Sequence, residues 1–296
     1  MTRSITNAAV LCIVPFILCS QETPLQFREH GELLIRHLSS APFPHPRRAA
    51  GHTYAKRHYP ADKHYSDSSV AIFIPMGYRP TDSLDMVLHL HGWRRTLDTA
   101  LQTHRLPQQL AQSGKNAILV VPQGPCHAPD SYAGKLEDAG GLKRFVEEIA
   151  DVLFRESRVK TRIIGKVILS AHSGGYEGVA FSLMRGGIPD KVREVYLFDA
   201  LYGETEKFAY WVDHFNGKMI NIYTDSGGTR WDSEAFMQDL DGWNVSYCAK
   251  PEPALAFSDL QRNRLIFIHS DLDHEGVVFR RSQFREFLRA SCLINR

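Results

Sequence analysis

The chain has 296 residues, 43% of them hydrophobic and 23% charged, with a formal net charge of +2. That length suits one large α/β domain or two small ones, with one the simpler reading, and the composition excludes both a disordered chain and a membrane bundle. The charge is uneven, with eight Lys/Arg against four Asp/Glu in residues 1–66, but nothing in it implies a nucleic-acid surface.

At the N-terminus, Arg3 followed by AAVLCIVPFILC, Ala8 to Cys19, has the charged start and short apolar core of an export signal and is too short for a spanning helix. Residues 1–20 are therefore read as a signal peptide and the protein as exported, periplasmic or secreted. Cys19 is a candidate lipid-modified residue that would anchor the chain to a membrane as a lipoprotein, although Phe16-Ile17-Leu18 lacks the small residues usual before such a cysteine. Processing leaves Cys126, Cys248 and Cys292, for which one disulfide and one free thiol is the simplest oxidised arrangement. None has zinc or redox spacing.

Residues 21–66 begin with LQFREHGELLIRHLSS, whose Leu25, Leu33, Leu34 and Leu38 predict an amphipathic helix. The basic, Pro- and His-bearing segment APFPHPRRAAGHTYAKRHYPADKHY follows, read as an irregular arm laid over a domain or as a mobile leader. A third segment, residues 67–296, alternates short apolar runs with helical patterns. The runs are VAIFIP, MVLHLHG, AILVVP, KVILSAHS, EVYLFDA, MINIYT and RLIFIHS, continuous as strands buried on both faces are. Helices are expected over Leu97–Gln112, Ala139–Arg155, Gly175–Arg185 and Phe279–Ala290. This predicts an α/β fold, a mostly parallel doubly wound sheet of about seven or eight strands with helices on both faces. VAIFIP and MVLHLH are expected as an antiparallel hairpin, and WNVSYCAK as an added edge strand.

In such sheets the chemistry sits at the carboxyl ends of the strands. Those ends carry His91-Gly92-Trp93, Gln123-Gly124-Pro125, Ser173, Asp199, Asp225 and, in the loop after the last run, His274. A serine between small neighbours on a tight strand-to-helix turn has its hydroxyl pushed out of the sheet, beside backbone N–H groups and a helix N-terminus. The competing readings of Ser173 are a helix N-cap and a Gly-Gly turn for close packing. The later acids and histidine, in the order Ser, Asp, His, favour a nucleophile.

Through Ala171-His172-Ser173-Gly174-Gly175 and His91-Gly92-Trp93 the chain resembles the α/β-hydrolase fold family, over roughly Ser69 to Arg296, with alanine at 171 where the G-x-S-x-G form has glycine. The resemblance implies a serine hydrolase with Ser173 as nucleophile. Its proton needs a base, and His274, in a polar loop, is preferred to His269, which closes an apolar strand. The preferred acid is Asp199, placed as in pancreatic-type lipases and following the apolar Val195-Tyr196-Leu197-Phe198, where an acid needs a buried partner; the alternative is Asp225, one strand later and the commoner family location. Gly174 and Trp93 are the implied oxyanion donors.

His89 and His91 share one face of a strand, but no third ligand has matching spacing, so no metal is expected, and the chemistry needs no cofactor. The loop PQGPCHAPDSYAGKLEDAGG, Pro122 to Gly141, should shape the pocket with Lys135, Glu137 and Asp138 as polar contacts, unless it is a solvated loop with Asp138 as a cap. The expected activity is cleavage of a small-molecule ester. The alternatives are a peptidase or amidase of the same fold acting on peptide-like substrates, and a binding protein on a hydrolase scaffold. Oligomeric state stays open.

Overall fold

The computed structural model describes residues 25–296; the expected signal peptide, residues 1–20, and with it Cys19, lies outside the described residues. In chain order come α1 (Leu25–Arg28), β1 (Gly31–His37), β2 (His52–Tyr54), β3 (Arg57–Tyr59), α2 (Ala61–His64), β4 (Ser69–Pro75), β5 (Leu84–Leu90), α3 (Leu97–Thr103), α4 (Leu106–Ser113) and β6 (Ile118–Pro122). Then follow α5 (Gly141–Arg155), β7 (Ile164–His172), α6 (Tyr176–Arg185), β8 (Val192–Phe198), α7 (Thr205–His214), β9 (Lys218–Thr224), α8 (Arg230–Gly242), β10 (Cys248–Pro251), α9 (Phe257–Arg262), β11 (Leu265–Ser270) and α10 (Gln283–Arg289).

Nine strands form one sheet in the order β1-β4-β6-β5-β7-β8-β9-β11-β10, and β2 pairs with β3 in a separate hairpin. From β6 to β10 every pairing is parallel, while β4 runs against both β1 and β6. Alternate side chains go to opposite faces: Val195 and Leu197 of β8 join one core with α5, α6, α7 and α8, and Tyr196 and Phe198 join the other with α3, α4, α9 and α10. Burial on both faces explains the unbroken apolar runs. Among the described residues no helix is long and apolar enough to cross a membrane.

Several sequence expectations are corrected. LQFREHGELLIRHLSS is a single helical turn followed by β1, because Leu33 and Leu34 fall on opposite sides of the sheet and enter different cores, which a strand permits. VAIFIP and MVLHLH do not form a hairpin, since β6, wholly buried, inserts between β4 and β5. The expected helix at Leu97–Gln112 divides at Arg105, with Pro107 in the first turn of α4, the one helical position where a missing N–H is harmless. WNVSYCAK supplies β10 on the outer edge beside β11, and the sheet has nine strands rather than seven or eight. Cys126, Cys248 and Cys292 are all free, on the loop after β6, the edge strand β10 and the C-terminal tail, so the expected disulfide does not form.

The basic arm lies over the loop that follows β6. Arg48 forms a two-point ion pair with Asp130, at 2.7 and 3.0 Å, and stacks over Tyr132, 4.6 Å from the ring centre. Phe43, Tyr59 and Tyr65 pack with Ala128 and Tyr132 in a small separate core. Asp138 meets His45, Lys135 donates to the Ser39 carbonyl, and Glu137 is buried and accepts the Ala133 N–H at 2.7 Å. These three loop residues therefore hold the arm and the loop itself.

Burial, helped by the charge of Glu177, pushes the Glu137 carboxyl up to about 7. The folded state then holds its proton more tightly than the unfolded chain, so stability falls as pH rises from about 4.5 through 7. Glu137→Gln should raise stability by about 1–3 kcal/mol at pH 8 and change it little at pH 4.5. Denaturant melts of both proteins at the two pH values test this; an equal effect at both contradicts it.

Candidate functional site

Strand β7 ends in a turn that only small residues fit. Ser173 sits in the left-handed region, φ 54°, and a Cβ on Gly175 would come 2.4 Å from the Leu90 carbonyl oxygen. Residues 173–175 make one turn of tight helix before α6. Gly175 holds the N-cap position of α6, with no side-chain cap bond, so the Ser173 hydroxyl is not consumed as a cap. Close by, the Tyr202 hydroxyl donates to the Gly227 carbonyl and its ring lies edge-on to His274, centres 6.4 Å apart.

The loop after β11 brings His274 onto Asp199. His274 donates from Nδ1 to Asp199 Oδ2 at 2.7 Å, and that tautomer leaves Nε2 as the basic nitrogen. Asp199 is fully buried, and its backbone is also left-handed, φ 45°. A buried carboxylate is tolerated only with donors around it. Thr224 supplies its N–H at 3.2 Å and its hydroxyl at 2.8 Å, and the Thr229 hydroxyl supplies a third. Asp225 is elsewhere: exposed, it binds Arg230 at 2.7 Å and His269 Nε2 at 3.0 Å. The carboxylate in contact with His274 is therefore Asp199 and not Asp225.

Ser173 and His274 line one open pocket of about 360 Å³ with Trp93, Arg94 and Arg95. Trp93 lies beside Gly174, where a Cβ would come 2.3 Å from the indole, and its Nε1 donates to Ser131 at 2.8 Å. Both residues named for the oxyanion thus stand next to the serine. From the arm, Tyr54 of β2 packs edge-on against Trp93, ring centres 5.2 Å apart, so the β2–β3 hairpin forms part of the rim.

His89 and His91 hold separate structural bonds. His91 donates from Nδ1 to the Gly92 carbonyl at 2.9 Å and accepts the Gly124 N–H on Nε2 at 2.9 Å, while burial lowers its pKa to about 4. His89 meets the Ser170 hydroxyl at 2.9 Å. Sequence reasoning missed Tyr202, Thr224, Thr229, Arg95 and Glu275. Arg95 pairs with Glu275, the residue after His274, and a threonine at the end of the strand next to Asp199 is the one signal that pointed to such donors.

The sheet order and the elbow at Ser173 define the α/β-hydrolase fold. Solved structures share it: the fluorophosphonate-binding serine hydrolase FphF of Staphylococcus aureus is 11% identical, with 88% of this chain and 99% of that one covered at a TM-score of 0.52. An S-formylglutathione hydrolase from Agrobacterium tumefaciens is 11% identical over 90% and 96% at 0.52. The feruloyl esterase module from Clostridium thermocellum is 12% identical over 92% and 93% at 0.50. No protein-family model matches the sequence, and no curated protein matches it.

A Cβ at Gly227 would lie 1.6 Å from Asp199 Oδ2, whereas one at Gly242 meets nothing within 4 Å. Gly227→Ala should displace the carboxylate and destabilise the fold by roughly 1–3 kcal/mol, with Gly242→Ala within about 0.5 kcal/mol of the parent. Paired denaturant melts check this, and equal midpoints for the two variants would contradict it.

Proposed function

We propose that the protein is an exported serine hydrolase that cleaves carboxylic esters through an acyl-enzyme. The observation that carries this reading is the His274–Asp199 bond at 2.7 Å in the pocket that also exposes Ser173. In the first half-reaction His274 Nε2 takes the Ser173 proton as the oxygen attacks the ester carbonyl, and the imidazolium is stabilised by the Asp199 carboxylate. The Trp93 and Gly174 N–H groups hold the oxyanion of the tetrahedral intermediate, a contribution of about 2.7–4 kcal/mol for one such donor. His274 then protonates the departing alkoxide, leaving the acyl group on Ser173; a water activated by the same nitrogen releases the acid and restores the serine.

Turnover requires the Ser173 hydroxyl to come within hydrogen-bond reach of His274 Nε2, and both side chains line the one pocket. The structural neighbours, by name an esterase and two hydrolases, support an ester-cleaving reading, although at 11–12% identity the likeness is one of fold. Export rests on the signal-like residues 1–20, with Cys19 the residue that a lipid anchor would use.

Short-chain p-nitrophenyl esters should be hydrolysed, with Ser173→Ala and His274→Ala each losing at least about 10³–10⁴-fold in kcat while staying folded. A fluorophosphonate probe should label the parent at Ser173 and neither variant. A folded parent that neither labels nor turns over ester would refute the reading, and cleavage of peptides without ester turnover would move it to a peptidase.

A further inference from the structure

Beside His274, three chain segments meet in a largely buried set of side chains, and two of its members, His172 and Glu275, also line the pocket that holds Ser173. His104 caps the C-terminus of α3, His172 ends β7 immediately before Ser173, and Glu275 follows His274. One nitrogen from each histidine and one carboxylate oxygen lie within 4.8 Å of one another. Both histidines are 1% exposed, and their rings meet edge to face with centres 4.7 Å apart.

Half of each ring is accounted for. His104 donates from Nε2 to Glu275 Oε2 at 3.1 Å, and His172 Nε2 donates to the His274 carbonyl at 2.9 Å. The other nitrogens, Nδ1 of both, have no hydrogen-bond partner, and neither has Nε2 of the neighbouring His89, whose ring centre is 5.9 Å from that of His104. Buried polar atoms without partners are rare and costly, and a cluster of three marks a place built for a further occupant. Imidazole nitrogens gathered with a carboxylate oxygen in this way suit a borderline-soft divalent cation.

We propose that His104, His172 and Glu275 form a binding site for a divalent transition-metal ion of the zinc type, with a water completing the tetrahedron. Arg95 holds Oε1 of Glu275, so the ion enters between Oε2 and the His104 Nε2 that now contacts it, and the His104 proton moves from Nε2 to Nδ1. Bound there, the ion ties the end of α3 to the residue before the elbow serine and to the residue after His274. It fixes the base loop and touches no reacting atom.

The test uses the full chain, stripped with chelator and dialysed against Zn²⁺ or Co²⁺ alone. The expected result is one zinc retained per chain by elemental analysis, a thermal midpoint raised by about 5 °C at a hundredfold excess over Kd, and the intense visible band of tetrahedral Co²⁺. His172→Asn and Glu275→Gln should each lose the zinc, while His269→Asn, at the exposed Asp225 pair, should keep it. Should His172→Asn fail to fold, Glu275→Gln and the cobalt spectrum of the unaltered chain decide the matter. A parent that retains no zinc and gives only the weak spectrum of aqueous cobalt overturns the proposal, as does zinc held equally by the parent and folded Glu275→Gln.

Discussion

A carboxylate removed from water must be ringed by donors, and the geometry of the site follows from meeting that condition at Asp199. Its partners come from three places: Thr224 at the end of β9, Thr229 at the start of α8 and His274 beyond β11. They reach it because β8, β9 and β11 are consecutive and parallel, with Phe198 opposite Ile222 and the Asp199 N–H continuing the ladder to the Ile222 carbonyl at 2.7 Å. A slip of one residue would turn those side chains to the other face. Removing a partner from a buried charge costs about 3–5 kcal/mol, so the sheet register and the orientation of His274 are held by the same contacts.

The same rim carries backbone held in an uncommon conformation. Arg94, Ser173 and Asp199, each just past a strand end, are all left-handed, at φ 60°, 54° and 45°. Non-glycine residues there are strained by roughly 1–3 kcal/mol each and persist only where the surroundings over-determine them. The over-determination comes from the two cores that clamp the sheet from either side and from the ion pairs around the loops, Arg95 with Glu275 and Arg48 with Asp130. The arm belongs to this framework: it pins the loop after β6 and sets Tyr54 against Trp93, so the pocket mouth is built partly by residues that precede the first central strand.

Much of this was legible in the sequence because strands buried on both faces write themselves as unbroken apolar runs, and the residues that end those runs mark one rim. Ser173, His274 and the two candidate acids were found that way. Choosing between the acids was not possible from spacing, since Asp199 and Asp225 both end a strand; only the fold shows that one is buried among threonines while the other faces solvent with Arg230. GELLIRH misled because paired leucines fit a helical stripe as well as a strand with a core on each side. The place of β6 between β4 and β5 is a matter of long-range pairing, which local pattern does not encode. The imidazole cluster was invisible for a similar reason: His104, His172 and Glu275 are brought together by topology, and their spacing matches no metal motif.

The proposed esterase activity depends on Asp199 as the group that orients His274, and the direct measurement is kcat on a short p-nitrophenyl ester for Asp199→Asn beside Asp225→Asn. Asp199→Asn should lower kcat by about 10³–10⁴-fold with the fold intact by circular dichroism, because an amide cannot stabilise the imidazolium. Asp225→Asn should change it by less than about twofold, since that carboxylate touches only Arg230 and the exposed His269. A folded Asp199→Asn with near-parental turnover, or a collapse confined to Asp225→Asn, would contradict it.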